Sequence, residues 1–360
     1  MKIGIIGLPN SGKTTVFNAL TRGQAETTSF AGGRFEVHTA VVNVPDPRLD
    51  WLHEHLKVPR KVPAQVTYND IAGLERGAGE RGFSGALLNA ISANDALLLV
   101  VRAFENPDVP HLEGSVDPVR DWQAVETELV LNDLLAVERR LERIAEERRK
   151  QNLPRTRRAE LEEEQAFMER LRAHLEVGRP LRALDLSPDE EKGIRHFAFL
   201  SLKPLLVVVN LGDEQPEPDL AAFEVGPRAA VTSLRGRLEA ELAVMDPEEA
   251  AEFMEAYGLK ELSLGRVIRM SYDLLGLKTF FTFNEKEVRA WTVPREATAV
   301  EAAGAIHSDM ARGFIRAEVI HVDDLRAAGS MAEARRRGLV RLEGKEYIVR
   351  DGDILRIRFS

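Results

Sequence analysis

Three features of the sequence predict an α/β fold with a mostly parallel sheet, a long helical insertion and a small C-terminal β-grasp module. Short apolar runs rich in β-branched residues (Ile3 to Ile6, Ala96 to Val101, Leu205 to Val209) alternate with helical stretches, as buried parallel strands do. From Val119 to Val177 the apolar residues instead recur at helical spacing among charges. After Thr279 short alternating runs return around one helix, over a length of about eighty residues that is enough for a module with its own core.

The first strand leads into Gly7-Leu8-Pro9-Asn10-Ser11-Gly12-Lys13-Thr14-Thr15, a G-x-x-x-x-G-K-[ST] loop, and a helix continues to Leu20. Strand, loop and helix are the context in which this motif binds phosphate. Gly7 and Gly12 let backbone N–H groups turn inward, forming an anion nest at the helix N-terminus. Ser11, Gly12, Lys13, Thr14 and Thr15 are thus expected to hold a nucleotide. Lys13 reaches the β- and γ-phosphates, and the Thr14 hydroxyl takes one Mg²⁺ position.

Bulk properties narrow the class. The chain has 360 residues, 44% hydrophobic and 30% charged, as in an ordinary soluble protein of two or three domains. A net charge of −9 gives no global field toward nucleic acid, so such a contact needs a local basic patch. No cysteine is present, which excludes disulfides and thiolate metal sites. No signal peptide or membrane-length apolar stretch is visible, and a cytoplasmic enzyme is the expectation.

Gln24 to Arg34 is small and polar and reads as a loop, followed by two strands, Val37 to Val44 and Val62 to Asn69. The second runs into Asp70-Ile71-Ala72-Gly73, a D-x-x-G. At a strand end this places Asp70 near Mg²⁺ and the Gly73 N–H near the γ-phosphate. Leu74 to Gly85 carries four glycines, the composition of a loop ordered by its ligand. Leu74 stands where many GTPases orient water with Gln, so the polar group must come from elsewhere. His111, in a loop after the Ala96 to Val101 strand, is a candidate for that role, or simply a surface residue.

The charged stretch reads as two amphipathic helices paired as a hairpin around Asn152-Leu153-Pro154. Arg148, Arg149, Lys150, Arg155, Arg157 and Arg158 gather at its tip, a patch suited to phosphate backbones, although neighbouring glutamates dilute it. The next core strand ends in Asn210-Leu211-Gly212-Asp213. In GTPases the corresponding N-K-x-D reads guanine; here Leu211 replaces the Lys and Asp213 keeps the carboxylate. Ser233 is the one match to the second base-contacting loop. In the C-terminal module, strands are expected at Thr279 to Phe283, Glu287 to Val293, Ile315 to His321, Tyr347 to Arg350 and Ile354 to Phe359, with helices at Val300 to Met310 and Met331 to Arg337.

Taken together, these residues resemble the YchF/Obg-like ATPase family of P-loop switch proteins. The resemblance covers essentially the whole chain. Its carriers include Gly7-Leu8-Pro9-Asn10, Asp70-Ile71-Ala72-Gly73-Leu74, Phe104-Glu105-Asn106, Leu181-Arg182-Ala183-Leu184-Asp185-Leu186, Glu287-Val288-Arg289-Ala290-Trp291-Thr292 and Ala303-Gly304-Ala305-Ile306-His307-Ser308-Asp309. It implies a G domain over 1–118 and 199–277, an inserted antiparallel coiled coil over 119–198 and a TGS domain over 278–360. It also implies Mg²⁺-dependent hydrolysis with ATP preferred to GTP, ribosome association through the coiled-coil tip and TGS domain, and a monomer without membrane contact. His111 falls where the family has its candidate catalytic histidine, and Asn10 where some relatives bind K⁺.

The departures are specific. The family's first switch reads roughly F-P-F-x-T-I-[ED]-P-N, and Arg34 stands at the Mg²⁺-ligating Thr, with Thr39 a substitute only if the loop shifts. Asp213 replaces the usual Glu, and Glu80-Arg81-Gly82-Phe83-Ser84 alters the second switch. These changes suggest a diverged paralogue with weakened switching. The expected function is a slow Mg²⁺-dependent nucleotidase acting as a molecular switch. The alternatives are a nucleotide-gated binding module with negligible hydrolysis, a GTP-preferring GTPase, and a small-molecule kinase whose lid the sequence does not provide.

Overall fold

The computed structural model describes residues 1–21, 28–29, 37–71, 83–111, 113–150, 152–256 and 262–360. Arg34, Gly73, Leu74 and nearly all of the glycine-rich switch segment lie outside them. The described residues form two compact units, one of 1–41 and 67–274, the other of 42–66 and 275–360. The chain therefore changes unit inside a strand twice.

The first unit holds a seven-stranded sheet in the order β2-β3-β5-β1-β6-β7-β8. Its strands are β1 (Lys2–Ile6), β2 (Thr28–Ser29), β3 (Val37–Asn43), β5 (Gln65–Ile71), β6 (Ala96–Arg102), β7 (Leu205–Asn210) and β8 (Ala229–Leu234). Pairings of β1 with β5 and β6, of β6 with β7 and of β7 with β8 are parallel, whereas β2 and β3 are antiparallel. Every residue of β6 and β7 is buried, which explains their unbroken apolar sequences: a parallel strand covered on both faces has no polar side to show. Strand order reverses at β1, so the loops after β1 and β5 meet at a topological switch point, where α/β sheets bind ligands.

Helix α1 (Lys13–Thr21) follows the phosphate loop. The charged stretch forms α2 (Pro118–Arg148) and α3 (Arg155–Glu176), packed as a hairpin. Pro118 occupies the first turn, where its missing N–H costs nothing, and the Asp117 side chain caps the Arg120 N–H. Val130, Val137, Ile144, Leu161, Met168, Leu171 and Leu175 form the seam between the helices. Of the basic tip, Arg148 pairs with Glu162, and Arg157 with Glu147 and Glu160. Arg149, Lys150, Arg155 and Arg158 make no ion pair among the described residues.

The second unit holds a six-stranded sheet, order β12-β11-β13-β9-β10-β4. It comprises β9 (Leu277–Phe283), β10 (Glu287–Pro294), β11 (Phe314–His321), β12 (Arg341–Glu343) and β13 (Asp353–Phe359), with β4 (Arg60–Val62) at one edge. The expected single strand from Val62 to Asn69 is thus two. Pro63 cannot donate to a ladder, so the run breaks there; β4 pairs parallel with β10, while β5 belongs to the first sheet. A helix at Pro47–Leu56, capped by Asp46, precedes β4 and escaped the sequence reading.

Two other expectations in this unit are corrected. Tyr347 to Arg350 is not a strand: Ile348 makes only a bridge to Thr298, because the Asp353 carboxylate accepts the Arg350 N–H and the Tyr347 hydroxyl and closes a turn. The helix from Val300 is two, Ala299–Ile306 and Ser308–Arg312, because His307 leaves helical geometry and caps the second with its ring. Ala299, Ala302 and Ala303 of the first bury against Phe280, Ala317, Val319 and Leu355.

Candidate functional site

β1 delivers the chain to a loop whose geometry only glycine tolerates at two points. A Cβ on Gly12, at φ +88°, would lie 2.2 Å from Asn210 Nδ2, and one on Gly7 would lie 2.5 Å from the Val100 carbonyl oxygen. Asn10 holds the loop's left-handed turn at φ 63°, a conformation that asparagine tolerates better than most residues. Its side chain is exposed. The first helical hydrogen bond runs from the Val16 N–H to the Gly12 oxygen at 2.9 Å. The N–H groups of Lys13, Thr14 and Thr15 thus precede the helical ladder and are left for an anion.

Lys13 is buried and donates from Nζ to the Leu8 carbonyl at 3.0 Å, arching over the loop. Burial lowers its pKa, and the nearby Asp70 charge opposes that shift. Asp70 comes from the end of β5, in register with Ile5 of β1, and is itself buried. Burial raises its pKa, against the Thr14 hydrogen bond and the charges of Lys13 and His38. Thr14 Oγ1 donates to Asp70 Oδ2 at 3.0 Å. That separation matches neighbouring corners of an octahedron with bonds of about 2.1 Å, so the two oxygens fit a hard divalent cation such as Mg²⁺. Ser11 Oγ is buried without a hydrogen-bond partner among the described residues.

Asn210, at the end of β7, works as a clamp. Its Nδ2 donates to the Ser11 carbonyl at 3.1 Å, and its Oδ1 accepts the Gly236 N–H at 3.0 Å. It thereby ties the phosphate loop to the loop after β8. The expected base contacts are arranged differently from the guanine-reading pattern. Leu211 is 4% exposed and packs in the apolar core under the sheet, so its side chain is no wall for a base. Asp213 is held by Arg237, which donates from Nε at 2.8 Å to Oδ2. Ser233 is buried, and its hydroxyl is spent on Glu217.

His111 is equally committed. Its Nε2 lies 2.7 Å from Asp121 Oδ2, and its Nδ1 accepts the Glu113 N–H at 3.1 Å. With Nδ1 accepting, Nε2 must carry the proton that binds Asp121, which fixes the tautomer and leaves neither nitrogen for a water. Thr39, the substitute ligand, donates to Asn69 at 2.7 Å instead. Gly73 lies outside the described residues. The sequence reading missed Glu217, Gln215 and Arg237 around the base-proximal loops. Gln215 Oε1 accepts the Gly212 N–H at 2.6 Å, and its Nε2 donates to Ala103 at 2.9 Å. Charged residues just downstream of Asp213 are a signal that composition alone does not separate from ordinary surface.

Residues 2–140 match a family described as "50S ribosome-binding GTPase", and residues 277–360 match YchF-GTPase_C, described as a protein of unknown function. The chain is 42% identical to the ribosome-binding ATPase YchF of Escherichia coli O157:H7, covering 100% of this chain and 99% of that one. It is 38% identical to the Bacillus subtilis protein of the same name, covering 99% and 98%. It is 36% identical to Obg-like ATPase 1 of Caenorhabditis elegans, covering 100% and 92%. The Schizosaccharomyces pombe YchF GTPase structure superposes with a TM-score of 0.85 at 31% identity, covering 99% of this chain and 97% of that one. By identity along its whole length and by fold, the chain belongs to the YchF/Obg-like ATPase family.

Proposed function

We propose that this P-loop nucleoside triphosphatase hydrolyses ATP in preference to GTP, slowly and with Mg²⁺, as a switch that associates with ribosomes. The observation that carries the chemistry is the Thr14–Asp70 contact of 3.0 Å beneath the buried Lys13. A divalent ion held by those two oxygens would neutralise charge on the β- and γ-phosphates. Lys13 would exchange its bond to Leu8 for the phosphate oxygens, and the N–H groups of Lys13, Thr14 and Thr15 would cradle them. Gly73 would supply a further N–H to the γ-phosphate, and Asn10, exposed at the loop's turn, would contribute to a K⁺ site. Leu74, at the position where many GTPases orient water with Gln, favours slow turnover. The relatives' names and the unpaired cations at the hairpin tip support a ribosomal partner.

The test is phosphate release from ATP and GTP with Mg²⁺ or EDTA, beside Lys13→Ala. Release that survives EDTA or the Lys13 substitution would overturn the reading. A second reading has its own observation: with both nitrogens of His111 engaged, the chain would bind nucleotide as a gated module and hardly hydrolyse it. Tight ATP binding without phosphate release identifies that case.

A further inference from the structure

The second unit contains a groove of ≈ 790 Å³ that the nucleotide chemistry does not use. Its floor is one face of the six-stranded sheet. Ile320 and Ile354 are register partners across β11 and β13 and are nearly fully buried, and Phe283 of β9 completes the apolar surface. The opposite face of the same strands carries Ala317, Val319 and Leu355 and is filled by the Ala299–Ile306 helix. Leu56 and Met331 also line the groove. The volume lies in the range of small-molecule sites, about 300–1,000 Å³.

The rim is not electrically balanced. Glu318 faces the groove, but Arg358 holds its Oε1, and Arg335 lies 3.5 Å from its Oε2. Those hydrogen bonds and charges hold the Glu318 pKa below the usual carboxylate range. Arg356 stands directly across from Glu318 in register, yet finds both carboxylate oxygens taken. Lys286, at the β9–β10 turn, lines the same groove, and neither the Lys286 ammonium nor the Arg356 guanidinium has a hydrogen bond or ion pair among the described residues. Glu285 is the one remaining carboxylate of the lining. An apolar floor with two unpaired cations on its rim, in a protein of net charge −9, selects an anion with a hydrophobic body.

We propose that this groove binds a small organic anion, its acidic group between Lys286 and Arg356 and its apolar body over Phe283, Ile320 and Ile354. The site is independent of the phosphate loop and its chemistry. The test uses the full chain and the aromatic sulfonate ANS as the probe, read by fluorescence, with octanoate and octylammonium as competitors. Saturable binding at one site is expected, displaced by octanoate and not by octylammonium. Arg356→Gln, at an exposed side chain, should weaken the dye several-fold, and Lys286→Glu with Arg356→Glu at least tenfold. Val340→Trp, which fills the groove from its wall, should abolish binding while circular dichroism stays that of the parent. Unchanged affinity in Arg356→Gln and Val340→Trp would overturn the proposal. So would displacement by octylammonium, or by a poly-glutamate peptide more effectively than by octanoate.

Discussion

Arg237 closes on Asp213: its Nε donates at 2.8 Å to Oδ2, while Asp213 Oδ1 is buried without a hydrogen-bond partner among the described residues. A carboxylate that reads guanine needs both oxygens toward the ring N–H and the amino group. Here one is spent and the other is shielded. Arg237→Ala should therefore tighten GTP about tenfold, the worth of one charge-assisted hydrogen bond, and leave ATP nearly unchanged. Calorimetric titration of both nucleotides checks this, and an unaltered GTP affinity would show that Asp213 does not face the base.

Lys13→Ala should lower phosphate release by at least about a hundredfold, as expected when a buried cation aimed at transition-state charge is lost. Thermal stability should hardly fall, because burial already works against the Lys13 ammonium. Turnover measured alongside a melting curve separates the two effects.

Exchange of NaCl for KCl at constant ionic strength tests Asn10. Stimulation by K⁺ is expected, and Asn10→Ala should remove it without changing the rate in Na⁺. Equal rates in both salts would leave Asn10 as the residue that sets the loop's turn at φ 63°.

Asp133 gives the protein a distinct pH response. It is buried on α2 and accepts the Leu200 and Ser201 N–H groups at 2.9 and 2.7 Å. Burial outweighs those bonds and pushes its pKa up to about 6. A folded-state pKa above the unfolded value favours folding most below about pH 4, and the benefit is lost as pH rises through 6. Asp133→Asn should be less stable at every pH, because one backbone N–H loses its acceptor, but should lack this slope. Urea midpoints between pH 4 and 7 would show it.

At the hairpin tip, charge reversal of Arg149, Arg155 and Arg158 should reduce co-sedimentation with ribosomal particles and make what remains less sensitive to salt. Reversal of Arg157, already paired with Glu147 and Glu160, should matter less. Equal retention by both sets of variants would remove the tip from the interface.

The phosphate loop was legible because its chemistry is local: glycine spacing, one lysine and one threonine lie within eight residues of chain. The hairpin was legible for a similar reason, since helical periodicity repeats over a long window. What escaped the reading is set by distant partners. Nothing around Arg60–Val62 signals that three residues pair with Glu287–Arg289 rather than with the nearer strands. Likewise the Asp213 carboxylate is conspicuous in sequence, whereas its cover by Arg237 depends on how the loop after β8 folds back. His111 reads as an available base until the first turn of α2 brings Asp121 to it.

The membership of residues 42–66 in the second unit also bears on synthesis. The Arg48 guanidinium in this segment joins Asp351 at 2.6 Å and stacks on Phe281, and β4 awaits β10. On a chain emerging at about 5–20 residues per second, β4 would precede its partner strand by roughly 10–45 s. During that interval the apolar side of the Pro47–Leu56 helix has no sheet to lie on. Nascent chains of this protein should therefore present a waiting amphipathic segment to chaperones, and the second unit should become protease-resistant only once its last strands have been made.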